Sequence, residues 1–447
     1  MIIKLIQPKM NKRPMDTDLK TRMAPSLGLL TIASILEGEH KIIFENENIR
    51  EINYDEKVDA VGITVTVDVM PRAIEIAEKF QKRGIPVIAG GIHITALHDK
   101  CRGYFDSICV GMAETTWPQI VEDVKNKCLK KEYYCSKTVS GSDIVSPAYN
   151  LVNKRDYLYC NVISTSRGCP FHCDFCYNSC NEYSSFYINR PVEDVMKDIK
   201  AIGKKHIMFI DDNFIGNPSW TREFVKAVKP MNIKWNAAVS ANIAEMPDLL
   251  DEMAESGCES LFIGFESINE SSIKGVHKGQ NNVEKFEKLV YEVHKRNIMI
   301  NASFVFGLDG DDIDTFHKTV EWIVKNKIET VTSHILTPYP GTKVYEEMKN
   351  EGRIFDDDLS KYNTANVVFY PKNMTPDELY QGYLNVYKEV YSFKNIIKRI
   401  PKSKSQVMPY LAFNFIYRKY GKLTEKIAKA IGFDAIGRFG EWLAYKM

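Results

Sequence analysis

The stretch Ser164-Thr-Ser-Arg-Gly-Cys169-Pro-Phe-His-Cys173-Asp-Phe-Cys176-Tyr-Asn-Ser-Cys180 decides how the rest of the chain is read. It sets Cys169, Cys173 and Cys176 in a C-x-x-x-C-x-x-C array behind the apolar, β-branched run Asn161–Thr165, which reads as a strand. Thiolates are the ligands of iron–sulfur clusters, and three of them on a four-iron cluster leave one iron open to an outside ligand. Two other readings stand beside this one. Cys180 as a fourth donor would close the set, giving a structural zinc or a closed cluster, although neither a second C-x-x-C nor a histidine pair follows. A disulfide framework is disfavoured, because ten cysteines spread over 447 residues, with Cys101, Cys109, Cys128, Cys135, Cys160 and Cys258 far outside the array, read as a reduced intracellular chain.

The array, with the aromatic Tyr177 directly after its third cysteine, resembles the radical S-adenosylmethionine superfamily. That resemblance implies a 4Fe-4S cluster on Cys169, Cys173 and Cys176, with S-adenosylmethionine chelating the open iron. Within the loop it implies cofactor contacts at Phe175 and Tyr177.

Upstream, short apolar runs (Ile2–Ile6, Lys41–Phe44, Ala60–Thr66, Pro86–Ala89, Ser107–Val110) alternate with amphipathic segments (Leu27–Leu36, Pro71–Arg83, Trp117–Lys127). Such alternation predicts a doubly wound, Rossmann-like α/β domain that binds ligands beyond the carboxyl ends of its strands. Glycine pairs at strand ends are weak signals taken singly, since they more often mark turns. Together, Pro25-Ser26-Leu27-Gly28, Thr64-Val65-Thr66, Gly90-Gly91-Ile92-His93 and Gly111-Met112-Ala113-Glu114 resemble the cobalamin-binding domain fused ahead of many radical S-adenosylmethionine enzymes. Cobalamin contacts are then implied at Pro25, Leu27, Thr64, Val65, Thr66, Gly90, Gly91, His93, Gly111 and Glu114. The D-x-H-x-x-G motif of the wider cobalamin-binding fold is absent, so no histidine is placed below the cobalt. His93 reads equally as a turn histidine bonded to local backbone.

Residues 1–140 are assigned to this domain and 141–159, without a clean period, to a linker. Alternation resumes over 160–372 with strand candidates Asn161–Thr165, His206–Ile210, Lys234–Val239, Ser260–Gly264, Met299–Phe306 and Thr330–Leu336. Between them lie the helix candidates Val192–Ile202, Pro247–Ser256, Asn282–Lys295 and Asp314–Lys325. Six βα units predict a partial (β/α)6 TIM-type barrel with its reactive groups at the carboxyl ends of the strands. Asp211-Asp212-Asn213 stands where the family usually receives the amino group of S-adenosylmethionine, although Asp and Asn favour turns and helix caps unaided. The resemblance places further cofactor contacts at Ser240, Glu266, Ser267, Asn301 and Leu336. Tyr339, Asn301 and Trp235 are candidates to line the substrate cavity.

Residues 373–447 read as a basic helical region. From Phe393 onward 12 Lys and Arg face 3 Asp and Glu, a net +9 within a chain of net +1. A basic amphipathic helix either caps the barrel or lies on an anionic bilayer. The short apolar start Met1–Ile6 reads as a strand rather than a leader, and no spanning segment is present, so the expected location is cytoplasmic or peripheral to the inner membrane face.

The resemblance implies a cobalamin-dependent radical enzyme that methylates an unactivated carbon through a 5′-deoxyadenosyl radical. Its partners would be a small-molecule or lipid substrate and an electron donor such as flavodoxin or ferredoxin, with no nucleic acid. A radical cyclase, coupling or rearrangement enzyme, with a lipid among its possible substrates, is the alternative. A tRNA methylthiotransferase is disfavoured, since it needs three more cluster cysteines and a C-terminal β-barrel.

Overall fold

The computed structural model describes residues 1–136, 138–276 and 278–445. The first buried apolar run becomes β1 (Ile2–Gln7), flanked by β2 (Lys41–Asn46) and β3 (Ala60–Thr64). Next come β4 (Val87–Gly90), β5 (Ser107–Val110) and β6 (Glu132–Tyr134). The strands run parallel in the order β2-β1-β3-β4-β5-β6. That order reverses between β1 and β3, and ligands of open α/β sheets bind beyond the carboxyl ends at such a reversal. Helices pack on the sheet through single faces. In Met70–Gln81 the buried residues Met70, Ala73, Ile76, Ala77 and Phe80 recur every three or four positions.

β7 (Val162–Ile163) opens the second sheet. The cysteine loop follows, framed by an antiparallel pair, β8 (Ser166–Gly168) and β9 (Tyr187–Asn189). The sheet continues through β10 (His206–Phe209), β11 (Lys234–Val239), β12 (Cys258–Glu266), β13 (Met299–Phe306) and β14 (Thr330–Ile335). All six strands are parallel and neighbours in chain order, so the sheet curls into a barrel that does not close between β7 and β14. Successive side chains point to opposite faces. Trp235 therefore packs outward among Phe209, Phe214 and Phe224, with its indole N–H on the Ser256 carbonyl, while Asn236 borders the lumen. Trp235 is thus a core residue and not a cavity wall.

The chain after β14 is helical: Pro376–Val390, Phe393–Lys398, Lys404–Leu411, a π-helix over Ala412–Lys419, Gly421–Ile431 and Phe433–Tyr445. An exposed strand edge leaves backbone groups unpaired. Here the edge of β14 is satisfied by side chains. The Tyr391 hydroxyl accepts from Val331 N–H (3.0 Å) and donates to its carbonyl (2.8 Å), and Tyr387 does the same at Ser333 (2.8 and 3.1 Å). No strand follows Ile335 among the described residues, so the C-terminal β-barrel of a methylthiotransferase is not present there.

Candidate cofactor and substrate site

The cysteine loop is held at its base by a buried carboxylate. Asp211, directly beyond β10, accepts from the N–H groups of Thr165 and Ser166 (both 2.7 Å) and from the hydroxyls of Thr165 (3.0 Å), Ser166 (2.9 Å) and Ser164 (3.4 Å). Its oxygens are spent on the loop's entry, which makes it a positioning residue in this geometry. Asp212 turns the other way, towards the cavity between the two sheets, where Asn178 donates to it (3.0 Å) and the surrounding protein raises its carboxyl above the usual range by desolvation. Asn213 donates to the hydroxyl of Ser240 (3.1 Å), so two residues named on separate strands meet at one point.

The charge of Cys173 acts on Cys169, and those of Cys173 and Cys169 act on Cys176, so the three thiols lie near one another. Burial is the largest cause of the raised thiols of Cys169 and Cys176, pushing Cys176 to about 12. Cys180 is raised to about 12 by burial alone and packs partly buried against the barrel core. Among the described residues no group of three or more His, Cys, Asp or Glu is arranged to hold a single metal ion. The Gln280 amide donates towards Cys173 Sγ (3.5 Å).

At the end of β12 the register slips between Gly264 and Glu266, and Glu266 adopts a left-handed backbone (φ +61°). Its buried carboxylate meets the Lys278 ammonium, while Asn281 donates to the Gly264 and Phe265 carbonyls (2.9 and 2.8 Å). Ser267 donates to Asp311 (3.4 Å), a carboxyl that burial lifts to about 6. Asn301 faces the lumen and accepts from Thr332 (3.3 Å). Leu336 is buried at the end of β14, its N–H on the Phe306 carbonyl (2.8 Å).

In the first domain Thr64, Gly90, Gly91, Gly111 and Glu114 border a cavity of about 290 Å³ at the carboxyl ends of the strands, opposite Arg167 and Asp212 of the barrel. Glycine is required at two of these positions. Gly91 (φ +102°) and Gly111 (φ +83°) have left-handed backbones, and a Cβ would stand 2.8 Å from the Val65 carbonyl oxygen or against Cys135 Sγ. Pro25 and Leu27 are buried, and Leu27 packs with Leu30, Val152, Tyr157 and Val162. Gly28 and Thr31 of that helix face the cavity instead, as helical spacing from Gly28 would suggest. Val65 is buried with its N–H on the Gly90 carbonyl (2.8 Å), and Thr66 donates to Asp68 (2.7 Å).

The His93 ring does not bond to local backbone as a turn histidine would; it reaches across the domain boundary. Its Nδ1 lies 2.9 Å from the Tyr177 hydroxyl, and Tyr177 stacks on Tyr339 (4.8 Å between centroids). The pair links the two domains, and burial lowers His93 to about 4. Arg167, unnamed in the sequence reading, adds a second link with Nη2 3.4 Å from Glu114. Phe175 is half-buried against the barrel core.

The barrel lumen is a space of about 1110 Å³. Met208, Ile210, Ala238, Phe262 and Asn301 line its sheet side. Residues of the 13–23 segment and the tail helices close the gap left between β7 and β14.

A doubly wound sheet set with its strand ends towards an open barrel that carries three cysteines on its first loop defines a two-domain class of radical enzyme. Comparison with known proteins agrees. The radical SAM superfamily model matches residues 163–323, the B12 binding domain model residues 22–121, and a domain of unknown function (DUF4070) residues 342–427. Two Chlorobaculum tepidum proteins are similar along most of their length. Bacteriochlorophyllide d C-12(1)-methyltransferase is 30% identical over 89% of this chain and 88% of its own. The C-8(2)-methyltransferase is 31% identical over 89% and 92%. The radical S-adenosylmethionine methyltransferase TsrM from Kitasatospora setae, solved with cobalamin and a [4Fe-4S] cluster, has the same fold (TM-score 0.67, 13% identity, 96% of this chain and 99% of that one).

The chain belongs to the cobalamin-binding radical S-adenosylmethionine family, whose cofactors are a [4Fe-4S] cluster, S-adenosylmethionine and cobalamin. The residues fit these groups: three neighbouring thiols for the cluster, and a glycine-bordered cavity facing the cysteine loop.

Proposed function

We propose that this chain is a C-methyltransferase acting on an unreactive carbon of a large, mainly apolar molecule of the size its bacteriochlorophyllide-methylating relatives handle. The lumen carries this reading, since its volume slightly exceeds the usual range for small-molecule pockets and most of its wall is apolar or aromatic. When bound, the family's cofactors supply one-electron hydrogen abstraction and a transferable methyl group. This chain's residues do the positioning. Asp211 fixes the entry of the cysteine loop, Cys169, Cys173 and Cys176 would hold the cluster, and Glu266 and Ser267, paired with Lys278 and Asp311 at the end of β12, would border S-adenosylmethionine. The apolar lumen excludes water from the reacting carbon.

The test is anaerobic reconstitution followed by mass spectrometry with S-adenosylmethionine labelled at its methyl group. The expected outcome is 5′-deoxyadenosine together with labelled product from a chlorin substrate. Cys169→Ala, Cys173→Ala and Cys176→Ala should abolish both. Formation of 5′-deoxyadenosine without label transfer would favour the cyclase or rearrangement reading.

A peripheral contact with an anionic bilayer is supported by the tail. Leu423, Ile427 and Ile431 are exposed one turn apart on Gly421–Ile431, with Lys422 and Lys426 beside them and exposed Phe439 and Trp442 on the next helix. Among the described residues no helix is long and apolar enough to cross a membrane. Wild-type protein should sediment with phosphatidylglycerol vesicles, and the double variant Leu423→Lys/Ile427→Lys should not; equal sedimentation would remove this contact.

A further inference from the structure

The wall of the lumen opposite the sheet carries positive charge that the protein leaves unbalanced. Arg418 rises from the π-helix into a ring of aromatic side chains, its guanidinium carbon 5.3–5.6 Å from the ring centroids of Tyr387, Tyr391, Phe413 and Tyr417. Nη2 donates to the Val331 carbonyl (3.3 Å) and to the Thr332 hydroxyl (3.5 Å). Buried Nε has no partner, and no carboxylate lies within ion-pair distance among the described residues. Runs of π-helix are rare and frequent at functional sites.

Two more cations reach the same space from the 13–23 segment. Arg13 and Lys20 share one carboxylate, Asp16, at 3.9 and 3.3 Å. The other carboxylates bordering the lumen are engaged: Asp211 by the cysteine loop, Glu329 by the Ile300 N–H (2.9 Å) and His294 (3.2 Å), and Glu441 by the Asn161 amide (2.7 Å). Burial first, then the charge of Arg13, brings Lys20 down to about 8, with Arg418 acting in the same direction. Cations held out of water without a counter-charge are costly, and a planar guanidinium with open donors suits bidentate pairing with a carboxylate.

We propose that Arg418, supported by Arg13 and Lys20, receives a carboxylate carried by the otherwise apolar substrate. This rests on the lumen being the substrate chamber. Val331 and Thr332 are the second and third residues of β14, so the anion sits towards the amino ends of the strands. It is therefore not the carboxylate of S-adenosylmethionine, which belongs at the cysteine loop beyond the opposite ends. Anchored there, the substrate body runs along the aromatic wall and presents its far end to the chemistry.

The probes are 4-(1-pyrenyl)butyrate and its methyl ester, which share one polycyclic body and differ in charge, titrated by equilibrium dialysis against cofactor-loaded full-length protein. The acid should bind roughly tenfold or more tightly than the ester. Arg418→Met should remove that preference while leaving ester affinity unchanged, and Lys20→Met should reduce it a few-fold. Equal binding of acid and ester by the wild type, or a preference that survives in both variants, would overturn the anion site alone. Binding of neither probe would overturn the chamber reading and the anion site with it. If Arg418→Met does not fold, the wild-type comparison and Lys20→Met still decide.

Discussion

Gly264 sits where three constraints meet. A Cβ there would stand 2.6 Å from a Glu266 carboxylate oxygen and 2.8 Å from the Lys278 ammonium, so any larger residue pushes apart the ion pair that the register slip creates. Glu266 itself holds a left-handed backbone costing about 1–3 kcal/mol, which such surroundings must sustain. Gly264→Ala should therefore leave the sheet folded but lower 5′-deoxyadenosine formation at least about tenfold, one 1.4 kcal/mol step in the barrier. Asp211 is the second sensitive position. An Asn there keeps one acceptor and adds two donors among five donors, so Asp211→Asn should destabilise by about 1–3 kcal/mol in thermal unfolding. It should also lower iron content after reconstitution.

Elements were legible in the sequence where burial has a clear period. Lys234–Val239 and Met299–Phe306 form the strands expected of them, because residues buried on the outer face alternate with lumen-facing ones such as Asn236 and Asn301. β6 escaped because three residues, Glu132–Tyr134, at a sheet edge are too few to set a period, and Pro218–Val228 because its amphipathic pattern follows a turn-like Gly216-Asn217. The cysteines announced their own loop, and Asp212, Gly90 and Gly111 their cavity. The roles of Asp211, His93 and Arg167 depend on contacts 45 to 84 positions apart in the chain, which spacing cannot reveal. The π-helix was equally silent, since apolar spacing does not distinguish its hydrogen-bond pattern. The helix Pro376–Val390 and its C-cap Tyr391 carry a prediction of their own. Tyr387→Phe and Tyr391→Phe keep the rings but strip the hydroxyls from the edge of β14, at an expected cost of about 1–3 kcal/mol each in denaturant unfolding.

At the scale of the molecule the two domains are held by contacts between their facing ends. His93 and Tyr177, Glu114 and Arg167, and the Asn181 amide on the Thr95 carbonyl (2.8 Å) all cross the junction. His93 makes the junction sensitive to acid. Its folded value of about 4 lies below the ordinary 6.5, so the unfolded chain binds the extra proton between those values. The stability attached to neutral His93 is whole above pH 6.5 and is lost as pH falls towards 4, by at most about 3 kcal/mol. His93→Phe should flatten that part of the stability–pH curve measured by urea unfolding, and an unchanged slope would place the acid sensitivity elsewhere.

The lumen is walled on one side by barrel strands and on the other by a segment near residue 13 and by helices beyond residue 376. With the lumen proposed as the substrate chamber, chemistry and guest recognition would be written in different stretches of the chain. The cysteine loop and strand ends can stay constant while the outer walls change, so exchanging the two flanking pieces between relatives should redirect which molecule is modified without re-engineering the radical machinery. In a lineage of such enzymes, those flanks are where new specificities would accumulate first.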